Sequence, residues 1–148
     1  MIETGKDMSE MTLEVHQEIE INAPIETVFA SMIEQIGKCN EHPDGTPMPL
    51  VLETWPGGRW FRDTGNNTGH FWGHVQVIKP PTLLEITGPL FMSYPAINHV
   101  QYRLREQPGS TLLILIHRGM GDIDPQHRQN VNRGWKHMLE GIKKRSQK

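Results

Sequence analysis

Residues 99–119, HVQYRLREQPGSTLLILIHRG, form the stretch that decides the fold. The Pro108-Gly109 pair predicts a tight turn. The segment before it alternates between apolar and polar side chains, as a half-buried strand does, and the segment after it is apolar over residues 112–116. With a two-residue turn, the apolar residues of both segments share one face. The predicted pairs are Leu104 with Leu113, Tyr102 with Leu115, and Val100 with His117. We therefore expect a long antiparallel hairpin that carries Tyr102 and His117 on its inner face.

The outer face of this hairpin is unusual because its second strand is apolar there as well. The predicted outward pairs are Leu112 with Arg105, Ile114 with Arg103, and Ile116 with Gln101. Two explanations are open. Either the arginine stems cover the apolar side chains, or these side chains form a self-association surface and the protein is a homodimer.

The hairpin ends a longer series of strands. Upstream, residues 12–21 alternate as a first strand, and residues 22–36 have the proline start and apolar spacing of a helix. Turn residues break residues 50–119 into six short strands without room for crossover helices, so the sheet should be antiparallel. Asp124-Pro125 then begins a last, long helix. This order predicts an α+β fold with about seven strands, as one domain over residues 12–148 behind a disordered tail, residues 1–11.

Composition excludes several classes of function. The chain has 148 residues and a net charge of −2, so it offers no basic surface for nucleic acid. No apolar run reaches the ~20 residues that span a bilayer, and the first eleven residues lack the regions of a signal peptide. Cys39 is the single cysteine, which excludes an intrachain disulfide and suits a reducing compartment. We expect a cytoplasmic protein that does not insert into membranes.

Two turns near the middle of the chain bear on a possible cavity. A turn at Pro80-Pro81 places Val75 opposite Ile86, Val77 opposite Leu84, and Gly73 opposite Gly88. Facing glycines on an inner surface leave a vacancy about two side chains wide; the alternative is a β-bulge or a sharp twist.

A turn at Pro56-Gly57-Gly58 places Trp55 opposite Trp60 and Glu53 opposite Arg62 on one face. If that face is inner, the two tryptophans border the glycine gap, and Glu53 and Arg62 are buried polar groups that need partners. If it is outer, they are a surface aromatic pair and a surface ion pair.

Four motifs in order, INAPIETVF, PGGRW, GHVQVIKPPTLLEI and RGWKHMLEGIKK, resemble the family of homologues of the activator of the heat-shock-protein-ninety ATPase. That family belongs to the START-like superfamily, also called SRPBCC or birch-pollen-allergen-like. The resemblance implies a helix-grip fold, in which a curved antiparallel sheet wraps a long C-terminal helix, with small helices after the first strand and an internal cavity. It also implies an inward aromatic residue at Trp60. The chain departs from the family at Arg62, often apolar there, and at Gly88, often tryptophan.

Catalytic and metal-binding patterns are sparse. His70 and His74 share one face with Gln76, but four strand residues separate them by about 13 Å, too far for one zinc ion. We therefore predict no metal and no cofactor, with both histidines and Trp72 turned toward solvent. Cys39 has no nucleophile motif around it. His117, on the inner face, is the one candidate for acid–base catalysis; the alternative is a hydrogen-bonded histidine at the edge of the core.

A ligand pocket between sheet and last helix accounts for more of these residues. The loop GPLFMSYPAIN, residues 88–98, is either a mobile lid or an apolar plug. An arginine among apolar walls favours an acidic head group. The predicted function is binding of a small apolar or amphipathic molecule, either acidic or neutral, in this pocket. The alternatives are an enzyme of polyketide cyclase or hydrolase type using His117, and a chaperone-associated module. The predicted ligand-binding residues are Trp55, Trp60, Arg62, Gly73, Gly88, Phe91, Met92, Tyr102, His117, Trp135 and Met138.

Overall fold

A computed structural model describes residues 7–148, which form one seven-stranded sheet and three helices. The elements in chain order are α1 (Met8–Met11), β1 (Thr12–Ile21), α2 (Ile25–Ile36), β2 (Val51–Leu52), β3 (Arg59–Gly65), β4 (Thr68–Lys79), β5 (Leu83–Gly88), β6 (Ala96–Gln107), β7 (Ser110–Gly121) and α3 (Pro125–Ser146). The strand order across the sheet is β1-β7-β6-β5-β4-β3-β2, and every neighbouring pair is antiparallel. The prediction of an α+β helix-grip fold is confirmed.

The β6–β7 hairpin has the predicted register. Tyr102 lies opposite Leu115 and Val100 lies opposite His117, and all four side chains are buried. On the outer face, Ile114 lies opposite Arg103, as predicted. The turn chemistry and the apolar alternation agree here, and for that reason a two-residue turn fixes the pairing over the whole length of both strands.

Helix α3 covers the inner face of the sheet. The Asp124 side chain accepts a hydrogen bond from the Gln126 backbone N–H and caps its first turn. The helix buries one stripe of side chains at helical spacing against the sheet and α2. That stripe consists of Val131, Trp135, Leu139, Ile142 and Ser146. Met138, a predicted ligand-binding residue, is one position away from this stripe and only partly buried.

Two bulges in β4 change the faces that strict alternation predicts. Trp60 lies opposite Gly73 whereas Phe61 lies opposite Phe71, so Trp72 is an extra residue in β4. An extra residue reverses the alternation before it, and Trp72 is buried at 8% exposure instead of facing solvent. The prediction that Trp72 and His70 point outward is therefore wrong; His74, beyond the bulge, is exposed as predicted.

A second bulge corrects the β4–β5 pairing. The loop between these strands is one residue longer than predicted, and Val77 lies opposite Glu85 instead of Leu84. The bulge at Gln76 restores the predicted pairing of Val75 with Ile86. The extra residue in the loop and the extra residue in β4 shift the strand register in opposite directions, so Val75 keeps its predicted partner.

The segment before β3 also differs from the prediction. Leu52, not Trp55, lies opposite Trp60, and Trp55 is 56% exposed. Glu53 binds Arg59 instead of Arg62: its carboxylate accepts hydrogen bonds from the Arg59 Nε at 2.9 Å and Nη2 at 3.0 Å. Hydrogen bonds from Arg59 lower the pKa of Glu53 to about 2.

The structure describes residues 7–11 of the predicted tail. Met8–Met11 form one exposed helical turn, capped by the Asp7 side chain, where the sequence predicted disorder. The remainder of that predicted tail, residues 1–6, lies outside the described residues. Within residues 7–148, no helix combines the length and the apolar composition that crossing a bilayer requires.

Candidate functional site

A pocket of about 470 Å³ lies between α3, the inner face of β3 and β4, and the long connection from α2 to β2. The lining residues come from every one of these elements and from the loop after β5. They are Gln35, Asn40, Glu41, His42, Pro43, Met48, Arg62, His70, Trp72, Phe91, His127, Asn130, Val131, Gly134, Trp135, His137 and Met138.

The wall of the pocket on the sheet side is aromatic. Trp72 contacts Trp60 edge to face, with ring centroids 5.0 Å apart, and contacts Phe91 in the same way at 6.0 Å. On the opposite side, α3 contributes Trp135 and Met138. Such an apolar enclosure suits the hydrophobic part of a small molecule.

The polar groups of the pocket are mostly basic or neutral. Arg62 and His70 lie opposite each other on β3 and β4, and Arg62 is exposed. Across residues 7–148, no carboxylate lies within ion-pair distance of Arg62. The one carboxylate of the lining, Glu41, is engaged by His137 at 2.8 Å. Four of the eight histidines of the chain line the pocket, so its polar surface favours an acceptor or an anion over a cation.

Two histidines of α3 form hydrogen bonds with residues of the surrounding loops. His137 binds Glu41 in the α2–β2 connection through Nε2. His127 Nδ1 lies 2.7 Å from the Tyr94 hydroxyl in the loop after β5, and its ring also contacts Phe91. The walls of the pocket are thus connected to α3 by side-chain hydrogen bonds.

His117 does not line this pocket, although the sequence placed it in a cavity. It is fully buried: Trp135 Nε1 donates to His117 Nδ1 at 2.9 Å, and His117 Nε2 lies 2.7 Å from Asn98 Oδ1. Since the indole donates to Nδ1, the proton sits on Nε2 and the ring is neutral. Burial lowers the pKa of His117 to about 4. With both nitrogens occupied and no path to a ligand, His117 matches the alternative of a hydrogen-bonded core histidine.

The predicted vacancy at Gly73 and Gly88 is absent. The two glycines face each other, but their backbones are in close contact: a Cβ on Gly88 would overlap Gly73 Cα and lie 2.5 Å from the Trp72 carbonyl oxygen. The glycines permit β4 and β5 to approach at the bulge, which was the alternative explanation.

The other predicted site residues lie in three places: the core, the surface and the pocket lining. Trp60, Met92 and Tyr102 are almost completely buried, and the Trp60 indole donates to the Ile36 carbonyl at 2.8 Å. Trp55 lies on the surface, away from the pocket lining. Arg62, Phe91, Trp135 and Met138 do line the pocket. In the loop after β5, Leu90 and Met92 are buried in the core, and Phe91 is the one residue of this loop that lines the pocket.

Sequence reasoning missed most of the polar lining. His70 and Trp72 were assigned to the wrong face because the bulge was not anticipated. His42, Glu41 and Met48 lie in a connection without periodicity, so no sequence pattern indicated their direction. Among residues 7–148, no three histidine, cysteine or acidic side chains are arranged to hold a metal ion.

Comparison with known proteins places these features in a family. The family described as "Activator of Hsp90 ATPase homolog 1-like protein" matches residues 22–147. A search of curated protein sequences found no match. The activity in the family description is that of the protein after which the family is named.

Several solved structures share the fold. Protein CV1439 from Chromobacterium violaceum has a TM-score of 0.71 at 17% identity, covering 95% of this chain and 99% of that one. CalU16 from Micromonospora echinospora has a TM-score of 0.64 at 20% identity, covering 90% and 75%. The di-domain ARO/CYC StfQ from the steffimycin biosynthetic pathway has a TM-score of 0.66 at 10% identity, covering 94% and 52%. At these identities the likeness establishes the fold alone. The family match over residues 22–147 goes further, and the chain belongs to the Activator of Hsp90 ATPase homolog 1-like family.

Proposed function

We propose that the protein binds a small amphipathic molecule with an acidic group in the pocket between the sheet and α3. The observation that carries this proposal is the combination of an aromatic wall and an unpaired arginine at one cavity. Trp72, Phe91 and Trp135 supply apolar surface, and Arg62 supplies a planar donor that fits a carboxylate. The volume of about 470 Å³ lies within the usual range for small-molecule sites.

The orientation of the ligand follows from where these groups lie. The apolar body packs between Trp72 and Trp135, and its acidic group points to the Arg62–His70 side. The buried Trp72 indole N–H has no partner among the described residues, so a small rotation of this ring would offer a further donor to the ligand.

Titration calorimetry with matched ligands tests this proposal. An aromatic carboxylic acid, such as a naphthoic acid, is compared with its primary amide on the wild type and on Arg62→Met. Loss of a charge-assisted hydrogen bond should weaken binding of the acid by roughly 10- to 100-fold and leave binding of the amide nearly unchanged. Arg133→Met, an exposed arginine of α3 outside the pocket, is the control. Equal losses for acid and amide would remove Arg62 from the site.

A second candidate function is an enzyme, and its observation is the His137–Glu41 pair. A carboxylate that orients an imidazole through one nitrogen leaves the other nitrogen for proton transfer. The pair lies 2.8 Å apart on the pocket wall, in contrast to the enclosed His117. If it is catalytic, Glu41→Gln should abolish turnover of a bound substrate while the substrate still binds. The chaperone-associated alternative stays a prediction that a pull-down with the heat-shock protein tests.

A further inference from the structure

The outer face of β7 carries three apolar side chains in a row, on the side of the sheet opposite the pocket. Leu112, Ile114 and Ile116 project there; Ile114 is 7% exposed and the other two are half-buried. An antiparallel sheet with one solvated face normally alternates apolar and polar residues, and β7 does not. We call these three residues the apolar row.

Charged strands of opposite sign flank the apolar row. On the β1 side, Glu18 pairs with Ile114 and Glu20 with Leu112; on the β6 side, Arg103 pairs with Ile114 and Arg105 with Leu112. Each glutamate is therefore level with one arginine, with one strand between them. Neighbouring strands lie about 4.8 Å apart, so the Cα atoms of acid and base are roughly 10 Å apart. In the structure, neither glutamate forms an ion pair with either arginine.

These charges are largely free for a partner. Arg103, Arg105 and Glu20 are exposed, and within residues 7–148 none of them has an ion-pair partner. Glu18 is contacted by His16 on its own strand at 3.1 Å. The surface thus offers an apolar centre, an acidic margin and a basic margin.

We propose that this face is the interface of a homodimer in which the apolar rows of two copies pack on each other. A two-fold axis parallel to β7 places the acidic margin of one copy over the basic margin of the other at the same level along the strands. Glu18 then meets Arg103 of the second copy, Glu20 meets Arg105, and both contacts occur twice. Two sheets that pack with roughly aligned strands have this geometry.

At the next two levels the same register places His16 opposite Gln101 and Glu14 opposite His99 of the second copy. Within one chain Gln101 and His99 already contact Glu85, and Glu14 lies 3.6 Å from Arg118, so the complementarity rests on the four residues above. The pocket is on the other side of the sheet, and this dimer leaves it accessible.

Sedimentation equilibrium of the full chain tests the interface through a charge exchange. Glu18→Lys and Arg103→Glu are made singly and together. Each single change puts like charges opposite each other twice and should weaken dimerisation by roughly 10- to 100-fold. The combined variant restores opposite charges across the axis and should dimerise again. In the structure Glu18 and Arg103 form no ion pair with each other, and a rescue of dimerisation without a change in thermal stability excludes an effect through folding.

Glu140→Lys, an exposed change on α3 away from this face, is the matched control and should dimerise like the wild type. Thermal unfolding checks that each variant is folded. A wild type that stays monomeric at every concentration up to its solubility limit would overturn the proposal. So would single variants that dimerise normally, or a combined variant that does not recover.

Discussion

The buried imidazole of His117 makes folding stability dependent on pH in a way that the structure specifies. In the folded chain, His117 is held neutral between the Trp135 indole and the Asn98 side chain. Burial lowers its pKa from 6.5 to about 4. Below pH 6.5 the unfolded chain therefore takes up a proton on this residue that the folded chain does not take up until about pH 4. Because the unfolded state binds more protons, the free energy of unfolding falls as the pH is lowered.

The size of this effect follows from the two pKa values. Between pH 6.5 and 4 the contribution of His117 to the free energy of unfolding changes by about 1.4 kcal/mol per pH unit, or roughly 3 kcal/mol in total. At pH 7 and above the full contribution is present, and below pH 4 the curve flattens for this residue.

Urea unfolding between pH 4 and 7.5 measures this contribution on the wild type and on His117→Gln. Glutamine does not titrate, so the variant should be less stable at pH 7 yet lose about 3 kcal/mol less on going to pH 4. His74→Gln, which removes an imidazole from the exposed outer face, is the matched control. Parallel curves for the wild type and His117→Gln, or an NMR titration of His117 near pH 6.5, would refute the account of this buried network.

Two further pairs of substitutions test the glycine positions and the buried hydrogen bonds. Gly88→Ala puts a Cβ into the backbone of the facing strand and should destabilise the protein by about 1–3 kcal/mol. In Gly134→Ala on α3 the new Cβ meets no atom within 4 Å, so this variant should be more stable by up to ~1 kcal/mol. Denaturant unfolding of both variants shows whether the free energy of unfolding falls or rises as expected. Tyr102→Phe removes a buried hydroxyl that has no partner among the described residues and should leave the stability unchanged or slightly higher. Trp60→Phe leaves the Ile36 carbonyl unpaired and should lower the free energy of unfolding by about 2–4 kcal/mol. A clear loss of stability in Tyr102→Phe would contradict the description of that hydroxyl.

The hairpin of β6 and β7 could be predicted from sequence because two independent signals agree there. The Pro108-Gly109 turn sets the register, and the alternation of Val100, Tyr102 and Leu104 with polar residues on β6 agrees with it. Strand β4 could not be predicted in the same way. A bulge at Trp72 adds one residue without a distinct sequence signal, and that residue reverses the faces of everything before it.

The site was harder to predict than the fold for a related reason. The predicted residues on regular elements, Trp135 and Arg62, do line the pocket, since helical spacing and strand pairing indicate direction. Sequence could place His117 on the inner face, but the depth of its burial depends on Trp135, which packs over it from α3, and the way that this helix crosses the sheet is set by tertiary packing. His42 and Glu41 lie in the connection from α2 to β2, which has no periodic pattern, so sequence alone does not indicate the direction of their side chains.

Gly134 offers the most direct test of the central claim, because it lines the pocket and has open space in front of it. Gly134→Leu should fill part of the pocket while leaving α3 intact, since leucine is a strong helix former. The measurement is titration calorimetry of the wild type and this variant with the aromatic acid that the wild type binds best, together with their thermal unfolding midpoints. We expect the variant to remain as thermally stable as the wild type and to lose at least tenfold in affinity, about 1.4 kcal/mol. A stable variant that binds the acid as tightly as the wild type would contradict the assignment of this pocket as the binding site.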